Sequence, residues 1–131
     1  MQRSLLQALL TWKRKSKRKP VLIDGARQTG KTYLLKELFG QHFKQVLHID
    51  FLESPELAEA FQGSLTPEDI LSNIELLTGT VFDFQSALLI LDEIGECPRA
   101  VTALKYFAEK APHMYVAASG SNIGDRKSTR L

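Results

Sequence analysis

The chain has 131 residues, 44% of them hydrophobic and 24% charged, which suits one soluble globular domain with a real core. No apolar run approaches the roughly 20 residues of a membrane span, and the single cysteine, Cys97, excludes an internal disulfide and favours a reducing compartment. A cytoplasmic protein without a membrane partner is therefore predicted. The formal net charge of +2 falls to zero without residues 125–131, so the net charge says nothing about an acidic partner.

The first predicted element is an amphipathic helix over residues 2–12, because its leucines fall on one face. A basic run, Lys13–Lys19, follows and is closed by Pro20. The run is either a patch that binds nucleic acid or a solvated connector between a surface helix and a buried strand. No aromatic residue is interleaved and no groove-reading motif accompanies it, so the connector is favoured and nucleic acid stays open as a partner.

Residues 25–32 carry the main chemical motif, a glycine, four free positions, and then Gly-Lys-Thr. The motif residues are Gly25, Ala26, Arg27, Gln28, Thr29, Gly30, Lys31 and Thr32. The apolar run Val21–Ile23 before them predicts a buried strand, and Tyr33–Phe39 after them has helical spacing. Strand, glycine loop and helix form the context in which such a loop binds phosphate.

Each part of this loop has a chemical use. Gly25 and Gly30 allow backbone conformations that turn successive N–H groups towards a phosphate, and the helix start adds its free N–H groups. Lys31 is predicted to contact the β- and γ-phosphates and Thr32 to ligate Mg²⁺. The helix is expected to end at Gly40 in a left-handed conformation.

The middle of the chain alternates strand and helix signals. Val46–Phe51 predicts a second strand, with Asp50 and Glu53 near the end where α/β sheets hold ligands. These two acids could position water or metal, but surface carboxylates are the simpler interpretation. Two helices follow, one from Ser54-Pro55 to about Gly63 and one from Thr66-Pro67 to Gly79.

The second chemical motif is a continuous apolar run, residues 87–91, followed by Asp92 and Glu93. Such a run predicts a parallel strand that is covered on both faces, and adjacent carboxylates at its end have no packing use. We expect Asp92 to hold Mg²⁺, directly or through water, and Glu93 to orient and polarise an attacking water.

A helix from Pro98 to Ala111 and a strand over Met114–Ala118 complete the predicted elements. The turn after that strand offers Ser121 and Asn122 as candidates for contact with the γ-phosphate or the water; a plain serine-rich turn is the alternative. The three histidines are scattered without the spacing of metal ligands.

With these motifs together, the chain resembles AAA-type P-loop ATPases of bacteria and archaea from about Lys19 to Gly124. The resemblance rests on the glycine loop with its Ala-Arg-Gln filling, on Leu-Asp-Glu-Ile at 91–94, on Cys-Pro at 97–98, on Leu-Lys-Tyr-Phe at 104–107 and on Ser-Gly-Ser at 119–121. It implies ATP and Mg²⁺ as cofactors and a further C-terminal domain of uncertain function. The family usually has Leu-Leu after Gly-Ser, whereas this chain has Asn122-Ile123.

The resemblance implies a three-layer α/β/α P-loop fold with a mainly parallel sheet, ordered as the strands at Val21, Met114, Leu88 and Val46. The predicted divisions are a helix and basic connector at 1–19, an incomplete ATPase core at 20–124, and a tail at 125–131. The tail looks like the translation of a sequencing adapter. We expect the sheet to be truncated before its last strand, so that the Val21 strand forms its edge.

The predicted activity is ATP binding and Mg²⁺-dependent ATP hydrolysis, with Glu93 and Lys31 as the catalytic residues. This fragment is expected to be weakly active. The alternative is a nucleotide-gated switch or scaffold that binds ATP with little turnover and has no need of Glu93. A small-molecule kinase is disfavoured because neither a basic lid nor an acceptor pocket is recognisable in the sequence.

Overall fold

A computed structural model describes residues 2–24, 30–120 and 129–130 of the chain. Five residues of the glycine loop, 25–29, lie outside the described residues, as do both candidate sensors, Ser121 and Asn122. Most of the predicted tail at 125–131 also lies outside them, and its division from the core stays a prediction.

The fold is built on one parallel sheet of five strands in the order β2-β3-β4-β1-β5. The strands are β1 Val21–Asp24, β2 Val46–Asp50, β3 Leu88–Asp92, β4 Tyr115–Gly120 and β5 Thr129–Arg130. The predicted order of the first four strands is therefore confirmed. Since they run in parallel, their carboxyl ends meet at one edge of the sheet.

Helices cover both faces of this sheet. The α-helices are α1 Gln2–Lys13, α2 Lys31–Tyr33, α3 Pro67–Thr78 and α4 Pro98–Lys110. A π-helical segment, Leu34–Phe39, continues α2, and 3₁₀ turns span Gly40–His42, Pro55–Phe61 and Ile94–Glu96. None of the helices in the described residues is long and apolar enough to cross a membrane.

Alternation along the strands divides the core in two. In β3, Leu89 and Leu91 pack with residues of α3 and α4, whereas Leu88 and Ile90 pack with residues of α1 and the helix after the glycine loop. All five residues of β3 are buried, as the uninterrupted apolar run predicts for a strand covered on both sides. The three-layer α/β/α architecture is thus confirmed.

The prediction that Gly40 adopts a left-handed helix end is wrong. Its φ of −60° is right-handed, and the chain continues there into a 3₁₀ turn. A Cβ atom at Gly40 would lie 3.0 Å from Cγ2 of Val46 and 3.3 Å from the carbonyl oxygen of Leu35. Close packing of this helix against β2, rather than a positive φ, explains the glycine.

The prediction that β1 forms the edge of the sheet is also wrong. Val21 pairs with Thr129 and Leu22 with Arg130, so β5 occupies the position beyond β1. The physical reason is that an edge strand presents unpaired N–H and C=O groups, which an extended segment within reach can satisfy. The sheet order on the other side of β1 is unaffected.

Candidate functional site

The start of α2 and the end of β3 meet at the carboxyl edge of the sheet. Thr32 Oγ1 donates a hydrogen bond of 2.6 Å to Oδ2 of Asp92, sixty residues further along the chain. Gly30 precedes α2 with a left-handed φ of 80°, which glycine adopts without strain. The carbonyl of Gly30 accepts the first helical bond, from the Leu34 N–H at 3.0 Å. The structure therefore brings the end of the glycine loop to the acidic strand.

Asp92 is the centre of the site and is only 3% exposed. Its Oδ2 atom accepts from Thr32 and lies 3.1 Å from Nε2 of His48. Its Oδ1 atom accepts from the Ser119 hydroxyl at 2.5 Å and from the Glu93 backbone N–H at 3.0 Å. Both carboxylate oxygens are thus held by groups from different elements, which fixes the orientation of the side chain.

These partners keep Asp92 ionised. Burial raises the pKa of this carboxyl group, but hydrogen bonds from His48, Ser119 and Thr32, together with the charge of His48, lower the pKa overall to about 2. Hydrogen bonds to the charged form of an acid favour that form. Asp92 therefore presents a full negative charge at neutral pH, in a position shielded from water.

Glu93 follows Asp92 in a conformation that is uncommon for a residue with a side chain. Its φ of 53° lies in the left-handed region, which costs a non-glycine residue about 1 kcal/mol or more. A 3₁₀ turn, Ile94–Glu96, begins directly after it. The chain thus turns sharply at Glu93, which is half-buried, and such outliers cluster at functional sites.

The two acids at the end of β2 have different environments. Asp50 is buried, and its Oδ1 atom accepts from the backbone N–H groups of Leu52 at 2.9 Å and Glu53 at 3.3 Å. The expectation of a surface carboxylate is therefore wrong for Asp50, which stabilises the turn after β2. Glu53 is exposed, as expected.

Two residues of the site, His48 and Ser119, carry no assigned role in the sequence-based prediction. Strand alternation could have placed them on the same face of the sheet as Asp92. Both belong to the face of the sheet that carries Leu88, Ile90 and hence Asp92, since Val46 and Ala117, two residues before each, pack in that core. Their proximity to Asp92 needs the strand order as well as the alternation, because three adjacent strands contribute.

The side-chain atoms at this site that could ligate a metal ion are hard oxygen atoms. Thr32 Oγ1 and the Asp92 carboxylate are the kind of ligand that Mg²⁺ takes from proteins, usually one or two side chains with phosphate oxygens and water completing the shell. Within the described residues, no group of three or more His, Cys, Asp and Glu side chains is arranged to hold a metal. Thr32 and Asp92 are thus two oxygen groups of the kind that fits a Mg²⁺ ion.

A family model described as an AAA domain matches residues 17–130, which includes the glycine loop and all five strands. No significant match was found among curated proteins.

Proposed function

This chain belongs to the AAA domain family, and from that premise we propose that it binds ATP with Mg²⁺ and hydrolyses the bond between the β- and γ-phosphates. Family membership by itself supports a nucleotide-binding function of the ATPase type. The finer assignment, of hydrolysis and of the residues that perform it, is our proposal.

The observation that carries the proposal is the hydrogen bond of 2.6 Å between Thr32 and Asp92. A threonine at the end of a phosphate-binding loop and an acid at the end of another strand of the same sheet form the pair of ligands with which P-loop proteins hold Mg²⁺. The depressed pKa of Asp92, about 2, supports the same role, since only the carboxylate binds a cation. When bound, the ion would supply neutralisation of charge on the β- and γ-phosphates.

Other residues of the chain have separate roles in this proposal. Backbone N–H groups of residues 25–30 would bind the phosphates, and the Lys31 ammonium would contact the β- and γ-phosphates. Ser119 and His48 would hold Asp92 in its orientation. Glu93 would orient the attacking water and polarise it as its oxygen approaches the γ-phosphorus.

Three further assignments belong to the proposal. Ser121 and Asn122, just beyond β4, are the candidates for contact with the γ-phosphate. An additional C-terminal domain in the same chain is implied only by the resemblance to AAA-type ATPases. We also propose a cytoplasmic location.

The experiment that tests hydrolysis is a comparison of phosphate release from Mg·ATP by the wild-type chain and by Glu93→Gln. The matched control is Glu96→Gln, an exposed acid three residues away in the same turn. We expect Glu93→Gln to lower the rate at least about 100-fold while ATP affinity stays within a few-fold of wild type. If both variants retain the wild-type rate, the role of Glu93 is wrong; if the wild type binds ATP without turnover, the nucleotide-gated switch is the better account.

A further inference from the structure

The opposite end of the sheet carries a second feature, which we call the basic cavity. It has a volume of about 530 Å³ and is lined by Lys15, Lys17, Arg18 and Lys19, with Trp12 and Glu109. The Arg18 N–H donates to the carbonyl of Pro112 at 2.8 Å, just before β4.

Asp92, in contrast, contacts Ser119 near the end of β4. Because a strand rises about 3.3 Å per residue, roughly 13 to 17 Å of β4 separates the two places. The basic cavity is therefore distinct from the nucleotide site.

Arg18 organises the wall of the cavity. Its Nη1 atom donates to the carbonyls of His113 at 2.5 Å and Met114 at 3.2 Å, and its Nη2 atom donates to the carbonyls of Lys15 and, at 3.4 Å, Lys13. These bonds join the connector after α1 to the start of β4. The backbone that carries Lys15, Lys17 and Lys19 is thereby tied to the sheet.

The charge of Arg18 has no acidic counterpart in the part of the chain that the structure describes. The side chain is only 8% exposed, and its Nε atom is buried without a hydrogen-bond partner. The guanidinium carbon lies 4.1 Å from the centre of the Tyr115 ring, which offsets part of the cost. The Nη atoms already donate to four carbonyls and Nε is closed to solvent, so the contribution of Arg18 to the cavity is its positive charge, which no carboxylate of the described residues neutralises. Such a charge attracts an anion to the cavity.

The three lysines add to this positive potential. Lys15, Lys17 and Lys19 are all exposed, and in the described residues none of them has a carboxylate within 4.0 Å. Glu109 is the acidic residue of the lining, against four basic ones. A concave surface with one dominant sign of charge concentrates ligands of the opposite sign.

We propose that the basic cavity binds single-stranded nucleic acid through its backbone phosphates. The volume lies in the range of roughly 300–1,000 Å³ that holds small organic ligands, so one nucleotide unit fits inside it and the neighbouring phosphates of the strand contact the exposed lysines. Four cations exceed the charge of a single phosphate, so several phosphates of one strand match them better than a free anion. The exposed Arg14 continues the basic surface beyond the cavity.

The contacts also indicate that binding is independent of sequence. Trp12 is buried, and its Nε1 atom donates to the carbonyl of Lys19 at 2.8 Å, so its ring supports the connector and does not offer a surface for base stacking. Contacts to phosphate position a strand without reading its bases. The basic run is thus both a connector, held by Trp12 and Arg18, and a row of phosphate ligands.

The test measures binding of a fluorescein-labelled single-stranded DNA of mixed sequence, about 20 nucleotides long so that it exceeds a typical site size. Anisotropy is recorded at several salt concentrations for the wild type and for the triple variant Lys15→Glu/Lys17→Glu/Lys19→Glu. The matched control is Lys36→Glu/Lys44→Glu/Lys105→Glu, which changes the net charge equally at exposed lysines outside the cavity. Thermal unfolding of each variant checks that it is folded. The same anisotropy measurements are made on the neutral variant Lys15→Gln/Lys17→Gln/Lys19→Gln.

We expect the cavity variant to bind at least about tenfold more weakly and to lose about two units of salt slope, since each phosphate contact to a single strand contributes about 0.7. The control is expected to stay within about threefold. The Gln series is expected to fall between the wild type and the Glu series.

Equal weakening in both triple variants would overturn the proposal, as would a wild type that does not bind the labelled strand. Displacement of the strand by millimolar inorganic phosphate at constant ionic strength would show a small-anion site instead. Tighter binding of the matching duplex would overturn the preference for a single strand. Lys31→Ala is expected to leave strand binding unchanged, so this result stands or falls separately from ATP hydrolysis.

Discussion

The hydroxyl of Thr32 lies 2.6 Å from Oδ2 of Asp92 although sixty residues separate them in the chain. The sheet order explains the contact, because β4 alone lies between β1, which leads into the glycine loop, and β3, which ends at Asp92. Parallel strands put both carboxyl ends at the same edge. The start of α2 and an ionised carboxylate are thus held together by the fold itself.

Ser119→Ala should lower stability through Asp92. The substitution removes the 2.5 Å hydrogen bond to Oδ1 from a buried, charged acceptor, which costs about 1–3 kcal/mol in the free energy of unfolding. Urea denaturation at pH 7 measures this change. The control is Ser16→Ala, at an exposed serine of the connector; equal stability of the two variants would show that the Ser119 hydrogen bond contributes nothing.

Stability should depend on pH through Asp92. The pKa of this group is lowered from its usual 3.8 to about 2 in the folded state, so the folded protein binds the proton less readily than the unfolded chain does. The resulting stabilisation is complete above about pH 5 and is lost as the pH falls towards 2, and it amounts to about 2 kcal/mol.

Denaturation of the wild type and Asp92→Asn across that range measures this term. The unfolding free energy of the wild type should decrease relative to that of Asp92→Asn as the pH falls. A difference that is constant from pH 7 to pH 2 would contradict a depressed pKa at Asp92.

Gly40→Ala should destabilise the fold by steric contact. The added methyl group would lie 3.0 Å from Cγ2 of Val46 and 3.3 Å from the Leu35 carbonyl oxygen, and overpacking of this kind costs about 1–3 kcal/mol. Shortening the neighbour in Gly40→Ala/Val46→Ala should cost less than the sum of the two single variants. Additive effects in this double-mutant cycle would mean that the contact with Val46 does not limit the site.

Much of this arrangement could be predicted from local patterns. The glycine loop between a strand and a helix, and the buried strand that ends in Asp92 and Glu93, are signalled by residues adjacent in sequence. The pairing of β5 with β1 could not be foreseen, since it depends on which segment reaches an open edge. The left-handed conformation was wrongly predicted for Gly40 because a glycine after a helix usually indicates such an end. Here the glycine instead makes room for the side chain of Val46 in β2.

His48 and Ser119 illustrate a different limit. His48 lies on a strand that the sequence predicts correctly, and Ser119 lies one residue beyond the predicted bounds of Met114–Ala118 but within β4. Their common contact with Asp92 arises from register and order across three strands. A single histidine or serine without ligand spacing gives no local signal. Their place in the site follows only once the sheet is assembled.

The most direct measurement of the central claim is a calorimetric titration of Mg·ATP into the wild-type chain, Lys31→Ala and the control Lys36→Ala, an exposed lysine of the segment that continues α2. We predict that Lys31→Ala weakens ATP binding at least about tenfold, because a charge-assisted contact to phosphate is worth roughly 1.5–3 kcal/mol, and that Lys36→Ala binds as the wild type does. Equal affinity of all three proteins, or a wild type that binds no ATP, would contradict a nucleotide site formed by this loop and Asp92.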